Sequence, residues 1–329
     1  MFRTTFTFSL AASTMLAGAA LASETPGEGV TVRPVIGLIA EEYFQSRILF
    51  RALEDLGYTV AEPLETEIQT AHLAVGTGDA DFYPIHWNTL HSAFFEESGG
   101  EDVLEKVGPF VDGMLQGYLV DKASYDAGVT SLGDLQDPDV AAKFDANGDG
   151  KADLAGCVPG WGCERVIEHQ LTEFGLRDTV THNQGAYNAI IAETIALHAN
   201  GEPVIYYTWT PYWVSGALVP GQDVEWLNVP YTSLPDGAEA NTEFNGKNLG
   251  FAVDSMYVLA ADAFLEANPA AAKLFEVAKI DVNDISAQNK KMADGEDSSR
   301  DIGRHVDAWI EENRADYDAW LDAARAAAE

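Results

Sequence analysis

The residues that most clearly suggest a chemical role lie in one segment, 156–165. It contains both cysteines of the chain and a tryptophan. Its three glycines and one proline disfavour regular structure and predict a tight loop. A helical pattern of apolar residues begins at Val166, so Gly162 and Cys163 fall at a helix N-terminus, where unpaired backbone N–H groups attract anions. The segment therefore predicts either an anion-holding loop that carries the indole of Trp161 or a surface loop without a ligand.

Two further tryptophans stand at the C-terminal ends of predicted strands. They are Trp87 and Trp209, and ligands of α/β sheets bind beyond such strand ends. Aromatic faces attract quaternary ammonium cations, while the two amides at the helix N-terminus and the imidazole of His91 suit a carboxylate. Together with Trp161, these groups predict a site for a small zwitterion that carries a methylated ammonium. Ordinary core packing of the rings is the alternative.

A third pattern resembles the start of a calcium loop. Oxygen ligands stand at Asp145, Asn147, Asp149 and Asp153, with a glycine at the sharp turn. The twelfth position is Gly156, so the usual bidentate glutamate is missing. The same residues also suit an Asx-rich turn, and the sequence leaves open both a structural calcium site and a metal-free turn.

Motifs of common enzymes are missing from the sequence. It contains no P-loop, no G-x-G-x-x-G after a strand, no H-E-x-x-H and no G-x-S-x-G. The histidines are scattered, and no nucleophile–base pair is evident. We therefore predict a binding protein without enzymatic activity, and no cofactor beyond the possible calcium. A secreted hydrolase that uses Cys163 or a histidine is the alternative.

The first 22 residues have the pattern of a secretory signal peptide. One positive charge at Arg3 precedes an uncharged apolar run, and Ala20-Leu21-Ala22 forms an A-x-A cleavage signal. We expect cleavage after Ala22 and export to a bacterial periplasm. Because exported proteins form disulfides, Cys157 and Cys163 are expected to pair with each other.

Charge and length limit the partners and the architecture. The net formal charge is −34, so the surface repels nucleic acid, and no nucleic-acid partner is expected. Strands alternate with amphipathic helices from residue 32 to residue 87, which predicts an α/β lobe with a largely parallel sheet. The length exceeds one ordinary domain and predicts a second lobe, with crossing strands near 116–120 and 250–260.

Nearly the whole chain after the signal peptide resembles the periplasmic glycine-betaine-binding proteins of ProU-type ABC importers. The resemblance is carried by the segments RALEDLGYTV at 51–60, DANGDGKAD at 145–153, PGWGCE at 159–164, VTHNQG at 180–185 and YYTWTPYW at 206–213. It implies a two-lobed, type II-like periplasmic-binding-protein fold. Each lobe would be a mostly parallel sheet flanked by helices, and two strands would form the hinge.

The resemblance also implies lobe boundaries and partners. Lobe 1 would comprise 23–118 and 252–329, and lobe 2 would comprise 119–251. The lobes would close on glycine betaine, or on a relative such as proline betaine or dimethylsulfoniopropionate, for osmoprotectant uptake. The receptor would act as a monomer and dock on a membrane permease.

Within the site, the resemblance implies two groups of ligand contacts. The trimethylammonium would be boxed by Trp87, Trp161 and Trp209. The carboxylate would be held by His91 and by the amides of Gly162 and Cys163.

One segment departs from the family pattern. Residues 86–90 read His-Trp-Asn-Thr-Leu, where the family is expected to have Asn-Trp-Thr-Pro-Leu. The spacing from Trp87 to His91 is preserved, so the departure concerns only the shape of that wall.

Overall fold

The computed structural model describes residues 23–328, so the signal peptide predicted for 1–22 lies outside the described residues. Strands and helices alternate along most of the chain, as in α/β proteins. The strands are β1 Thr31–Val32, β2 Val35–Ile36, β3 Thr59–Val60, β4 Leu64–Glu65, β5 Phe82–Trp87, β6 Leu104–Asp121, β7 Ala152–Ala155, β8 Val180–Asn183, β9 Ile205–Thr210, β10 Val224–Trp226, β11 Glu243–Phe244, β12 Lys247–Asn248 and β13 Asp254–Ala261. The α-helices are α1 Tyr43–Asp55, α2 Ile68–Gly76, α3 Ser92–Glu97, α4 Lys122–Asp126, α5 Pro138–Ala141, α6 Gly162–Glu173, α7 Tyr187–Ala199, α8 Val214–Ala217, α9 Asp262–Ala267, α10 Pro269–Val277, α11 Val282–Ala293, α12 Ser299–Glu312 and α13 Arg314–Ala327.

Two sheets form the centre of the molecule, and they share the long strand β6. The first sheet has the order β5, β13, β6, and its pairs are antiparallel. The second has the order β6, β9, β7, β8, in which β7 is parallel to both of its neighbours. Short parallel pairs, β1 with β3 and β2 with β4, extend the first half of the molecule.

The chain passes from the first sheet to the second within β6 and returns through β13. Met114 pairs with Asp254 of β13, whereas the next residue, Leu115, pairs with Thr210 of β9. Because the chain crosses once in each direction, the two crossing strands run antiparallel, and parallel pairing is confined to the strands beyond them. The lobe boundaries at 118/119 and 251/252 stay predictions, since strand pairing alone does not define them.

Helices cover the sheets with apolar faces that the sequence pattern predicts. In α1 the residues Phe44, Ile48, Leu49 and Leu53 recur at helical spacing, and all four are buried. Near the C-terminus, α12 and α13 pack on this half, and the rings of Trp309 and Trp320 stack with centroids 5.9 Å apart, as expected for core residues. Among residues 23–328, no helix combines the length and the apolar character needed to cross a bilayer.

Gly250, beside the return crossing, should tolerate no side chain. Its φ is +79°, and a Cβ there would lie 2.5 Å from Val229 Cγ1 and 3.1 Å from Gln170 Nε2. Gly250→Ala is therefore expected to lower the free energy of unfolding for two reasons. The left-handed backbone costs about 1–2 kcal/mol, and overpacking adds about 1–3 kcal/mol. Urea unfolding measures the loss.

Gly246→Ala is the matched control, because its φ is +77° but a Cβ would meet nothing within 4 Å. This variant should show the backbone cost alone. Equal losses for the two variants would show that Val229 and Gln170 make room for the methyl group at Gly250.

Candidate ligand-binding site

A cavity between the two sheets brings together all six residues predicted to bind a ligand. Its empty volume is about 360 Å³, including part of the opening to solvent. The predicted residues that line it are Trp87, His91, Trp161, Gly162, Cys163 and Trp209. The other lining residues had no predicted role, and they are Ile39, Glu42, Ile68, Leu90, Gln116 and Tyr207.

The aromatic wall is built by rings from both sheets. Trp87 ends β5 of the first sheet, whereas Trp209 lies in β9 of the second and Trp161 precedes α6. The rings of Trp161 and Trp209 stand 5.9 Å apart at an interplanar angle of 71°. Tyr187 and Tyr212 pack against Trp209 with centroids at 4.7 and 4.3 Å. Because these neighbours hold Trp209 from behind, its indole face is already oriented before a ligand arrives.

The loop before α6 is fixed by covalent and polar contacts. Cys157 and Cys163 form the predicted disulfide, with their Cα atoms 6.0 Å apart. The N–H of Cys157 donates to Nε2 of His182 at 3.0 Å, and Nδ1 of His182 lies 2.7 Å from Oε1 of Glu168. His182 had no predicted role, but it braces this loop from a strand about 25 residues away.

The N-terminus of α6 supplies donors for an anion. The helix begins at Gly162, and no side chain caps its N-terminus. The first N–H groups of a helix have no acceptor inside it, and two of the residues that carry them, Gly162 and Cys163, line the cavity. These donors carry the partial positive charge of the helix end, which favours an anionic group.

His91 is a neutral hydrogen-bond donor. Its Nδ1 accepts the backbone N–H of Trp87 at 3.1 Å, so the ring proton resides on Nε2. Burial, followed by the nearby His72 and His86, holds the pKa of His91 well below its usual range. The side chain therefore offers one N–H without bringing a positive charge.

Three buried histidines lie close enough to suggest a metal centre. His72, His86 and His91 each place a ring nitrogen within 4.8 Å of the others. However, His72 donates from Nδ1 to the carbonyl of Ile68, and its Nε2 is 2.9 Å from Nδ1 of His86. A metal on Nε2 of His91 would move that ring's proton to Nδ1, where it would face the Trp87 N–H. The cluster is therefore a hydrogen-bonded group that does not fit a metal with these bonds intact.

The loop at 145–153 is held by its own backbone amides. Asp145 accepts the N–H groups of residues 148, 149 and 150 at 2.7–3.0 Å. Asp153 accepts those of residues 146 and 147 at 2.9 and 3.0 Å. Such bonds are those of Asx turns, and the calcium prediction for this loop stays a prediction.

Glu42 is a lining residue with a strongly raised pKa. It directly precedes α1, and its buried Oε2 has no hydrogen-bond partner among the described residues. Burial, followed by the neighbouring charge of Glu41, raises the pKa of Glu42 to about 8. The only sequence signal was an acidic pair soon after a buried strand, and such pairs are usually solvated.

Comparisons with known proteins agree over most of the chain. The sequence profile of the family described as "Substrate binding domain of ABC-type glycine betaine transport system" matches residues 30–312. The "Glycine betaine/proline betaine-binding periplasmic protein" of Escherichia coli (strain K12) is 48% identical, over 97% of this chain and 98% of that protein. The "Glycine betaine-binding periplasmic protein OusX" of Dickeya dadantii (strain 3937) is 49% identical, over 97% of each.

Solved structures agree on the fold. A lactococcal OpuAC complexed with glycine betaine superposes with a TM-score of 0.68 at 17% identity, covering 89% of this chain and 99% of that one. A choline-binding protein of an ABC transporter gives 0.70 at 14% identity, covering 91% and 96%. At such identities the likeness shows the fold alone, which is the predicted two-lobed periplasmic-binding-protein fold.

Glu42 should make stability fall as the pH rises. In the unfolded chain a glutamate titrates near pH 4.3, but the folded protein retains this proton up to about pH 8. Between these values the folded state binds more protons, so the free energy of unfolding decreases with rising pH. Glutamine cannot ionise, so the stability of wild type relative to Glu42→Gln should decrease over this range, as measured by urea unfolding.

His72 has the opposite effect, because burial lowers its pKa to about 4. Its contribution to stability is lost as the pH falls from about 6.5 to 4. Since both proteins contain His72, the difference between them isolates Glu42. A difference that stays constant across this range would contradict a protonated Glu42.

Proposed function

The chain belongs to the family of substrate-binding domains of ABC-type glycine betaine transport systems, and we propose on this basis which of its residues hold the ligand. Its function is that of a substrate-binding protein of a glycine betaine ABC transporter. The proposed ligand is glycine betaine or a related methylated zwitterion, such as proline betaine or dimethylsulfoniopropionate. The observation that carries the assignment is the convergence of three indoles, a neutral imidazole and a helix N-terminus on one cavity.

The cationic head of the ligand faces Trp87, Trp161 and Trp209. A trimethylammonium has no N–H, so it needs no hydrogen-bond acceptor and gains from contact with aromatic faces. Each indole contributes about 0.5–2 kcal/mol in such a desolvated box. A primary ammonium would leave its N–H groups unpaired among these rings, which is costly.

The carboxylate of the ligand accepts hydrogen bonds from the other side of the site. The donors are the amides of Gly162 and Cys163 and Nε2–H of His91. Each bond to the charged carboxylate contributes about 1.5–3 kcal/mol. All three donors are uncharged, so they add no full charge to the two that the zwitterion carries.

Closure of two lobes completes the site. We assign 23–118 and 252–329 to lobe 1 and 119–251 to lobe 2, so that Trp87 and His91 face the other ligand residues across the cleft. The lobes touch where a Cβ on Gly162 would lie 2.5 Å from the carbonyl oxygen of Leu90. The proposed partner is the membrane permease of the importer, with the receptor acting as a monomer.

The relatives named above are periplasmic proteins, and we place this chain in the same compartment after cleavage behind Ala22. They are binding proteins rather than enzymes. The hydrolase alternative that uses Cys163 has lost its nucleophile, because the sulfur of Cys163 is bonded to Cys157 and is no free thiolate. We therefore assign no enzymatic activity to the chain.

The two ends of the ligand should respond to different substitutions. His91→Ala removes a donor to the carboxylate, so it should weaken glycine betaine by about tenfold or more and choline much less, since choline has a hydroxyl in place of the carboxylate. Trp209→Ala removes a cation–π contact and should weaken both ligands alike. Calorimetric titration measures the affinities, with glycine as a third ligand that should bind poorly to wild type. Equal losses for betaine and choline on His91→Ala would remove His91 from the carboxylate end.

Closure should depend on the missing side chain at Gly162. A methyl group there would lie 2.5 and 2.8 Å from the carbonyl oxygen and Cγ of Leu90. Such a clash costs about 1–3 kcal/mol. Gly162→Ala should therefore weaken the binding of betaine by about tenfold or more. The separated lobes lack this contact, so the stability of the ligand-free protein should change little. Gly303→Ala is the control, because a Cβ there meets nothing within 4 Å. Full betaine affinity in Gly162→Ala would contradict the proposed closure.

A further inference from the structure

The turn that carries His91 follows β5, and two hydrogen bonds between His91 and Trp87 close it. The N–H of His91 donates to the carbonyl of Trp87 at 2.9 Å, while Nδ1 of His91 accepts the N–H of Trp87 at 3.1 Å. This is the segment that departs from the expected family pattern, with Thr89 in place of a proline. A proline has no N–H, so Thr89 brings a partly buried backbone donor that needs an acceptor.

Asp254 supplies that acceptor from a distant part of the chain. Its Oδ1 and Oδ2 lie 3.1 and 3.2 Å from the N–H nitrogen of Thr89, and Oδ2 accepts the N–H of Leu90 at 3.0 Å. Oδ1 also accepts the N–H of Ser255 at 2.9 Å. The residue is only 2% exposed, and among the described residues no Lys, Arg or His forms an ion pair with it.

The carboxylate of Asp254 is balanced by these three amides and by the hydroxyl of Thr89, without a cationic partner among the described residues. Burial raises the pKa of Asp254, whereas the N–H groups of Thr89, Leu90 and Ser255 act against that rise. Hydrogen bonds from N–H groups to a carboxylate are charge-assisted and stronger than those to a neutral acceptor. The turn is therefore attached to Asp254 by bonds stronger than those within an ordinary loop.

Asp254 also occupies a special place in the fold. It is the first residue of β13, which returns the chain to the first sheet, and it pairs with Met114 at the crossing in β6. The turn that it holds presents Leu90 to Gly162 of the other lobe. One side chain thus connects the crossing strands to the surface that meets the helix N-terminus.

We propose that Asp254 is a positioning residue, which fixes the turn at 88–91 so that His91 meets the ligand's carboxylate and Leu90 meets α6. The residue itself is not assigned a contact with the ligand. This inference rests on the proposed function, because it takes His91 as a donor to that carboxylate.

Asp254→Asn tests the proposal with little change in volume. The amide keeps one oxygen acceptor and places an NH2 donor against the remaining N–H groups, so the turn should lose part of its attachment. Betaine affinity should fall by about tenfold or more, and choline affinity much less, so the ratio of the two affinities falls. Calorimetric titration measures both. Asp112→Asn is the matched control, because this exposed carboxylate accepts only the hydroxyl of Ser255 among these residues.

A purely structural role for Asp254 would weaken both ligands equally, and that result would overturn the proposal, as would unchanged affinities. A second variant adds Thr89→Pro to Asp254→Asn and thereby removes one of the N–H groups that compete for the remaining amide oxygen. It should recover part of the betaine affinity lost in the single variant. A double variant that binds no better than Asp254→Asn, although folded by circular dichroism, would also count against the proposal.

A measurement without ligand separates this inference from the proposed function. In Asp254→Asn the amides of Thr89 and Leu90 should exchange hydrogen faster, and the ring ¹⁵N shifts of His91 should change. Unaltered exchange and shifts would overturn the positioning role whatever the ligand is. If they change while wild type binds no betaine, the proposed ligand fails and the positioning role stands.

Discussion

The backbone hydrogen bonding of β6 is the constraint on which the two sheets and the cavity between them depend. Up to Met114 the strand pairs with β13, and from Leu115 onward it pairs with β9. Each sheet is therefore anchored to the same stretch of chain, and any relative movement of the sheets must bend this strand and its neighbour. Beside the crossing, Gln116 accepts the hydroxyl of Tyr207 at 2.9 Å. This bond uses the one hydroxyl hydrogen of Tyr207, so Tyr207 has none left to donate to a ligand.

The site combines neutral polar groups with a strongly acidic surface. The net formal charge is −34, yet His91 is uncharged, and Glu42 remains protonated up to about pH 8. The donors at the start of α6 contribute only partial charges. A zwitterion has no net charge, so a neutral site can hold both of its ends without leaving an unpaired buried ion. The acidic surface keeps the protein soluble without setting the charge of the cavity.

The residues of the site that could be predicted are those with a signal in the neighbouring sequence. Trp87 and Trp209 stand at strand ends, and the glycine-rich loop with its two cysteines marks the start of α6, so pattern alone placed them near one another. Glu42 was not predicted, because an acidic residue at the start of a helix is normally exposed to solvent. Asp254 was not predicted either, because its partners Thr89 and Leu90 lie about 165 residues earlier in the chain. Contacts of that separation depend on the register of β13 against β6, which composition and periodicity do not specify.

The division of the aromatic wall between the two halves has a consequence for how affinity is set. In the proposed closure, Trp87 of the first sheet meets Trp209 of the second sheet and Trp161 of the loop before α6, so the complete box exists only in the fraction of molecules that are closed. The apparent dissociation constant is the intrinsic one divided by that fraction. Substitutions at the outer face of the crossing strands, far from any ligand atom, can therefore tighten or loosen binding by shifting this population. Release of the ligand to a membrane partner then needs no change in the individual indoles, because holding the two halves apart separates Trp87 from the other two rings.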